Sequence, residues 1–116
     1  MTRIGLIGYG YWGPNLARNF FEMVQARLVA CCDLRQDRLD VLSLKYPDVT
    51  CTSHPEDMIS DPDINAIVIA TPVSTHYELA RSALQAGKHV LIEKPMTTNT
   101  IQADDLIDIA KKVIWY

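Results

Sequence analysis

Five short apolar runs divide the chain, and each has the length of a strand. They occupy residues 4–7, 26–32, 49–52, 64–70 and 89–92. The fourth run is the strongest, because it is apolar on both faces, as a strand covered by helices on two sides must be. The pattern therefore predicts five strands.

Between the runs, apolar residues recur at helical spacing. The segment 35–46 carries Leu39 and Leu42 before Pro47 ends it, and a single helical turn is predicted at 55–59.

The last two helices have their own start and stop signals. Thr75 with Glu78 has the spacing of a capping box for a helix that runs to Ala86, and Gly87 stops it. A final helix starts at Asn99. Its apolar positions lie close to one stripe, namely Ile101, Leu106, Ile109 and Val113.

Strands that alternate with helices predict an α/β fold, a doubly wound parallel sheet with right-handed crossovers. Ligands of such sheets lie at the carboxyl ends of the strands, near the point where strand order reverses. Several polar residues lie at or just after strand ends, and all of them could converge on one crevice: Asp33, Thr71, His76, Glu93 and Lys94.

The first run opens into a glycine-rich turn with the spacing G-x-G-x-x-G at Gly8, Gly10 and Gly13. Gly8 permits a tight turn, Gly10 lets a pyrophosphate approach the backbone, and Gly13 with Ala17 lets the following helix pack close to the strand. A diphosphate would then face the N–H groups at the helix start. The pattern indicates a Rossmann-type dinucleotide-binding domain, although an isolated glycine pattern also occurs in ordinary loops.

Asp33 ends the second run, 20 residues beyond Gly13. An acid at this place can accept hydrogen bonds from the adenosine ribose. The alternative is that Asp33 merely caps the next helix. Joined to the glycine turn, the ribose role is favoured.

Composition and charge exclude some classes of binding partner. The 116 residues form one domain, and a formal net charge of −3 without a basic cluster argues against nucleic acid and anionic membranes. The N-terminal apolar run is too short for a signal peptide and no segment could span a bilayer, so a cytoplasmic location is expected. The three cysteines lack C-x-x-C spacing, which indicates neither disulfides nor a metal site.

The motifs together resemble one family. They are G-Y-G-Y-W-G at 8–13, A-T-P at 70–72 followed by His76, and A-G-K-H-V-L-I-E-K-P at 86–95. They are similar to the amino-terminal half of the glucose–fructose oxidoreductase, inositol dehydrogenase and rhizopine catabolism family (Gfo/Idh/MocA). The resemblance spans residues 3 to about 112. It implies an NAD(P)-dependent oxidoreductase that acts on sugars, cyclitols or nucleotide-linked sugars.

The resemblance also implies roles for individual residues. The turn glycines and the backbone N–H groups of Tyr11 and Trp12 would hold the pyrophosphate, and Asp33 the adenosine ribose. Thr71, Pro72 and His76 would line the cofactor, and Glu93 would approach the nicotinamide ribose. Lys94 would reach both cofactor and substrate hydroxyl, where a cation helps proton release as hydride leaves.

Two of these roles have simpler alternatives. His76 could only start a helix, and Lys94 could be a solvated lysine at a strand end. Pro95 favours the functional role for Lys94, because the residue before a proline is held extended and would be aimed out of the strand.

The sequence departs from the family after residue 112. Family members continue into a second domain that binds substrate and supplies a catalytic histidine, whereas this chain stops at Tyr116. We therefore expect residues 1–116 to be a dinucleotide-binding domain truncated before the substrate domain. Two interpretations stay open: the NAD-binding part of a dehydrogenase, inactive alone, or a non-catalytic nucleotide-binding or interaction module.

Two further expectations concern ligand and assembly. Asp33 would repel the 2′-phosphate of NADP and so favours NAD, although Arg35 could hold that phosphate. A bare sheet edge beside an apolar C-terminal tail, including Ile114 and Trp115, predicts self-association.

Overall fold

The computed structural model describes residues 2–10, 13–92 and 100–112. Its strands are β1 (Thr2–Ile7), β2 (Ala26–Cys32), β3 (Thr50–Thr52), β4 (Ala66–Ile69) and β5 (His89–Ile92). Its α-helices are α1 (Gly13–Glu22), α2 (Gln36–Lys45), α3 (Pro55–Ile59), α4 (His76–Gln85) and α5 (Thr100–Lys112). A short 3₁₀ turn, Val73–Thr75, precedes α4.

The five strands form one parallel sheet in the order β3-β2-β1-β4-β5. The chain first builds outward from β1 through β2 to β3, and then crosses back to place β4 on the other side of β1. Strand order therefore reverses between β1 and β4, and the carboxyl ends of these two strands flank the crevice that the reversal creates. The predicted doubly wound sheet is confirmed.

The sheet is buried on both faces. Successive residues of β4 alternate between two cores, because Ile67 and Ile69 pack with α4 and α5 while Val68 packs with residues of α1 and α2. Cys31 and Cys32 divide between the same two cores. Both thiols are free and buried, whereas Cys51 is only partly buried.

Two local predictions are wrong. Thr75 makes no capping bond to α4, because its hydroxyl turns back to the carbonyl of Pro72 at 2.7 Å and to the hydroxyl of Thr71 at 2.6 Å. Ile101 does not join the buried stripe of α5 and is 81% exposed, whereas Leu106 and Ile109 are buried. Asn99 and Val113 lie outside the described residues.

The β5 edge of the sheet is less covered than its centre. Within the described ranges, β5 pairs with β4 alone, and the side chain of Leu91 is 54% exposed. Among the helices within residues 2–10, 13–92 and 100–112, none combines the length and the apolar character needed to cross a membrane.

Candidate dinucleotide site

A cavity of about 680 Å³ opens at the carboxyl ends of β1, β2 and β4, where strand order reverses. Its size is within the range of small-molecule sites. The lining residues come from the end of β1 and the glycine turn, the end of β2 and the loop after it, the start of α3, the segment after β4, and α4: Ile7, Gly8, Gly10, Cys32, Asp33, Leu34, Arg35, Pro55, Ala70, Thr71, Pro72, Thr75 and Leu79. A smaller cavity of about 280 Å³, beside Thr50 and Asp61, contains none of the glycine turn.

The glycine turn is built so closely that two of its positions accept no side chain. Gly8 has φ +103°, and a Cβ there would lie 2.7 Å from the carbonyl oxygen of Ala70. A Cβ on Gly13 would lie 2.6 Å from the carbonyl oxygen of Gly8. These contacts bring the start of α1 against the end of β1, although Gly13 and the rest of α1 are not among the residues that line the cavity.

Gly10 differs, because the space beside it belongs to the crevice. The nearest atom to a Cβ built there is Nη2 of Arg35, at 3.2 Å, the far end of a flexible side chain. A ligand can therefore approach the backbone of Gly10 once that guanidinium moves aside.

Asp33 is buried at the end of β2 and is bonded to the backbone of the glycine turn. Its carboxylate accepts the N–H of Tyr9 and the N–H of Arg35, both at 2.9 Å. The Arg35 guanidinium donates to both carboxylate oxygens, at 3.2 and 3.4 Å. Burial alone would raise the pKa of Asp33, but these hydrogen bonds outweigh burial and hold the pKa below its ordinary value.

Two arginines approach the turn from the start of α2. The side chain of Arg35 is 59% exposed and lies between Asp33 and Gly10. Arg38 is half-buried, and its guanidinium donates to the carbonyl oxygens of Tyr9 and Gly10. Sequence reasoning missed Arg38. The available signal was its place in the first turn of the helix that follows Asp33.

The loop after β4 supplies one wall of the crevice. Thr71 and Pro72 line the cavity, whereas His76 does not, and contact of Thr71 and Pro72 with a cofactor stays a prediction. His76 is 2% exposed, and its Nε2 lies 2.7 Å from the carbonyl oxygen of Thr71. The contact of His76 with a cofactor stays a prediction.

Four predicted residues, Tyr11, Trp12, Glu93 and Lys94, lie outside the described ranges. The structure adds Leu34, which sequence reasoning missed. It directly follows Asp33, lines the cavity, and is 84% exposed. Cys32, at the floor of the cavity, stays a neutral thiol because burial raises its pKa to about 12.

Comparison with known proteins identifies the family to which this geometry belongs. The model of the oxidoreductase family with an NAD-binding Rossmann fold, Gfo/Idh/MocA, matches residues 2–113. This chain belongs to that family. The resemblance inferred from the sequence motifs is confirmed, and NAD is the cofactor that the family binds.

Relatives in the family are longer proteins. The oxidoreductase YdgJ of Escherichia coli is 37% identical over 96% of this chain, which covers 32% of YdgJ. The myo-inositol 2-dehydrogenase of Thermotoga maritima is 36% identical over 95% of this chain and 33% of its own length. The chain therefore spans about a third of the curated relatives it matches.

A solved structure gives the same fold with a cofactor bound. It is a 3-ketoreductase from Actinomadura kijaniata in complex with TDP-benzene and NADP, with a TM-score of 0.89 and 26% identity. The match covers 98% of this chain and 36% of that structure.

Proposed function

We propose that this chain binds NAD(H) across the crevice between β1 and β4, as the cofactor domain of an oxidoreductase. The reaction would transfer hydride between the nicotinamide and a hydroxyl of a sugar, cyclitol or nucleotide-sugar. The observation that carries the proposal is the glycine turn and Asp33 lining one cavity where strand order reverses.

The residues present fit a dinucleotide. The missing side chains at Gly8 and Gly13 let the turn close tightly, and the ten-residue helix α1 begins at Gly13. The first turn of α1 contains no acidic residue, so no carboxylate there repels a diphosphate beside the helix N–H groups. The negative diphosphate would lie against this end of α1 and against Gly10.

Asp33 would receive the adenosine ribose. Its depressed pKa keeps it a charged acceptor at neutral pH. The two backbone bonds to Asp33 are shorter than the guanidinium bonds from Arg35, and that guanidinium is exposed. We expect the ribose hydroxyls to displace the guanidinium and leave the backbone bonds in place.

The chemistry would take place at the other end of the crevice. When bound, the nicotinamide accepts or returns a hydride. Thr71 and Pro72 would line its site, and Glu93 would approach its ribose. Lys94 would hold the substrate oxygen and take part in moving the hydroxyl proton. The roles of Glu93 and Lys94 follow from the E-K-P motif at 93–95 and from family membership.

The substrate class comes from the relatives. One relative is named for myo-inositol, which supports a cyclitol, and the solved structure is a 3-ketoreductase that holds TDP-benzene, which supports a nucleotide-linked substrate. Because this chain spans about a third of those proteins, turnover is proposed for a protein that also contains a substrate domain.

Two experiments test the proposal. Calorimetric titration of the chain with NAD should give one site per chain, and absence of binding would contradict the assignment. In a two-domain protein that contains this chain, Lys94→Ala should lower turnover far more than NAD affinity. Lys45→Ala, on the surface of α2, is the matched control and should change neither. Equal turnover in the two variants would remove Lys94 from the chemistry, and NAD binding without turnover would favour a non-catalytic module.

A further inference from the structure

Arg38 joins helix α2 to the glycine turn by two hydrogen bonds. Its Nε donates to the carbonyl oxygen of Tyr9 at 3.0 Å, and its Nη2 donates to the carbonyl oxygen of Gly10 at 3.1 Å. The guanidinium therefore holds two successive carbonyls with the fixed fork of an arginine, a geometry that a single ammonium cannot reproduce.

The orientation of these carbonyls matters because the turn must receive an anion. A carbonyl oxygen facing the crevice would present negative charge to a diphosphate, whereas an N–H would donate to it. The amide between Tyr9 and Gly10 is planar and trans, so its N–H points away from its carbonyl. By binding the Tyr9 carbonyl, Arg38 turns the N–H of Gly10 away from its own guanidinium.

Nothing in Gly10 itself fixes this orientation. A glycine accepts positive and negative φ almost equally, so the absent side chain that opens the crevice also frees the adjoining peptides to rotate. Tyr9 is also held by other contacts, because its N–H donates to the carboxylate of Asp33 at 2.9 Å and the residue is only 2% exposed. Arg38 extends this anchoring, because it binds the carbonyl oxygens of Tyr9 and Gly10.

We infer that Arg38 is a positioning residue for the diphosphate of the dinucleotide. It holds the turn with its carbonyls withdrawn before the ligand arrives, and it adds a positive charge behind the turn. The inference rests on the proposed function, since it assumes that this turn receives a dinucleotide. It predicts that loss of Arg38 weakens ligands in proportion to their phosphate, and not through the adenosine.

The binding test compares a ligand that has the diphosphate with one that lacks it. Arg38→Met keeps an apolar stem of similar length and removes both donors, and Arg38→Lys restores one. The matched control is Arg27→Met, which removes the same charge at the start of β2, whereas the crevice lies at the other end of that strand. Arg38→Met should weaken NAD about tenfold and leave adenosine, followed by NMR titration, nearly unchanged. Arg38→Lys should lie between, and Arg27→Met should match the unaltered chain.

A second measurement needs no ligand. The ¹⁵N amide signal of Gly10 should be a single sharp resonance in the unaltered chain and should show exchange broadening in Arg38→Met. If Arg38→Met does not fold, Arg38→Lys carries both measurements.

The outcomes separate this inference from the proposed function. Failure of the unaltered chain to bind NAD contradicts the proposed function, and the inference fails with it. Normal NAD binding by the unaltered chain, with equal losses for NAD and adenosine in Arg38→Met or with no loss of either, contradicts this inference alone. An unchanged Gly10 signal would also overturn it.

Discussion

The choice between NAD and NADP depends on the Asp33–Arg35 pair. A 2′-phosphate beside Asp33 places two negative charges about 4 Å apart, which costs about 1 kcal/mol in water and about 4 kcal/mol at an effective dielectric of 20. Arg35 offsets part of this repulsion, since its Nε lies 3.2 Å from the carboxylate, and its exposure favours the solvent-like end of the range. We therefore predict tighter binding of NAD by about fivefold to tenfold.

Single substitutions should move this preference in opposite directions. Asp33→Asn removes the repelling charge, so the ratio of the NADP and NAD dissociation constants should fall to near one. NAD should also bind less tightly, because the ribose loses its charged acceptor. Arg35→Met removes the offsetting cation, so the preference for NAD should rise. Arg27→Met is the control for a lost positive charge distant from the crevice and should leave the preference unchanged.

The assay is calorimetric titration with NADH and NADPH at one fixed ionic strength, because salt screens exposed charges. Equal or tighter binding of NADPH by the unaltered chain would refute the reasoning, and it would identify Arg35 as a phosphate ligand. An unchanged preference in Asp33→Asn would show that the carboxylate does not face the 2′ position.

Three further predictions concern stability and assembly. Gly8→Ala should lower the free energy of unfolding by about 2–5 kcal/mol in a denaturant titration, since positive φ and a 2.7 Å contact act together, whereas Gly87→Ala, with φ +83° and open space, should lose only about 1 kcal/mol. The pKa of Asp33 is lower in the folded chain than in the unfolded chain, where it is near 4, so ionised Asp33 stabilises the fold above that pH. This stability is lost as pH falls through the folded pKa, and the midpoint of acid unfolding should therefore change in Asp33→Asn. Light scattering should detect self-association of the chain that persists at saturating NAD and weakens when Ile114 and Trp115 are made polar, and a monodisperse monomer would contradict it.

The sequence predicted elements well where strong signals bound them. The helical turn after Ser53 begins at Pro55 and ends at Ile59 as expected, because proline fixes its first residue. The fifth strand follows Gly87, whose positive φ ends the preceding helix. Burial on both faces of β4 was also predicted from its apolar run, because an element buried on one face only would carry polar residues on the other.

Side-chain partners across the turn could not be predicted in the same way. The Thr75 hydroxyl had a competing acceptor in the carbonyl of Pro72, which capping-box spacing does not reveal. Arg38 looked like any solvated arginine in a first helical turn, because its contacts with Tyr9 and Gly10 depend on how α2 lies beside the glycine turn. Residue spacing along the chain indicates which face of a helix or strand a residue occupies and where that element ends, but it does not indicate which carbonyl a long side chain reaches.

The proposed position of NAD, across the strand ends between β1 and β4, can be tested by ¹⁵N-amide mapping of the chain during NAD titration. We expect the largest shifts at Gly8, Gly10, Asp33 and Thr71, with little change at Arg27 at the opposite end of the sheet. Shifts confined to the β5 edge, or spread evenly over the chain, would contradict it.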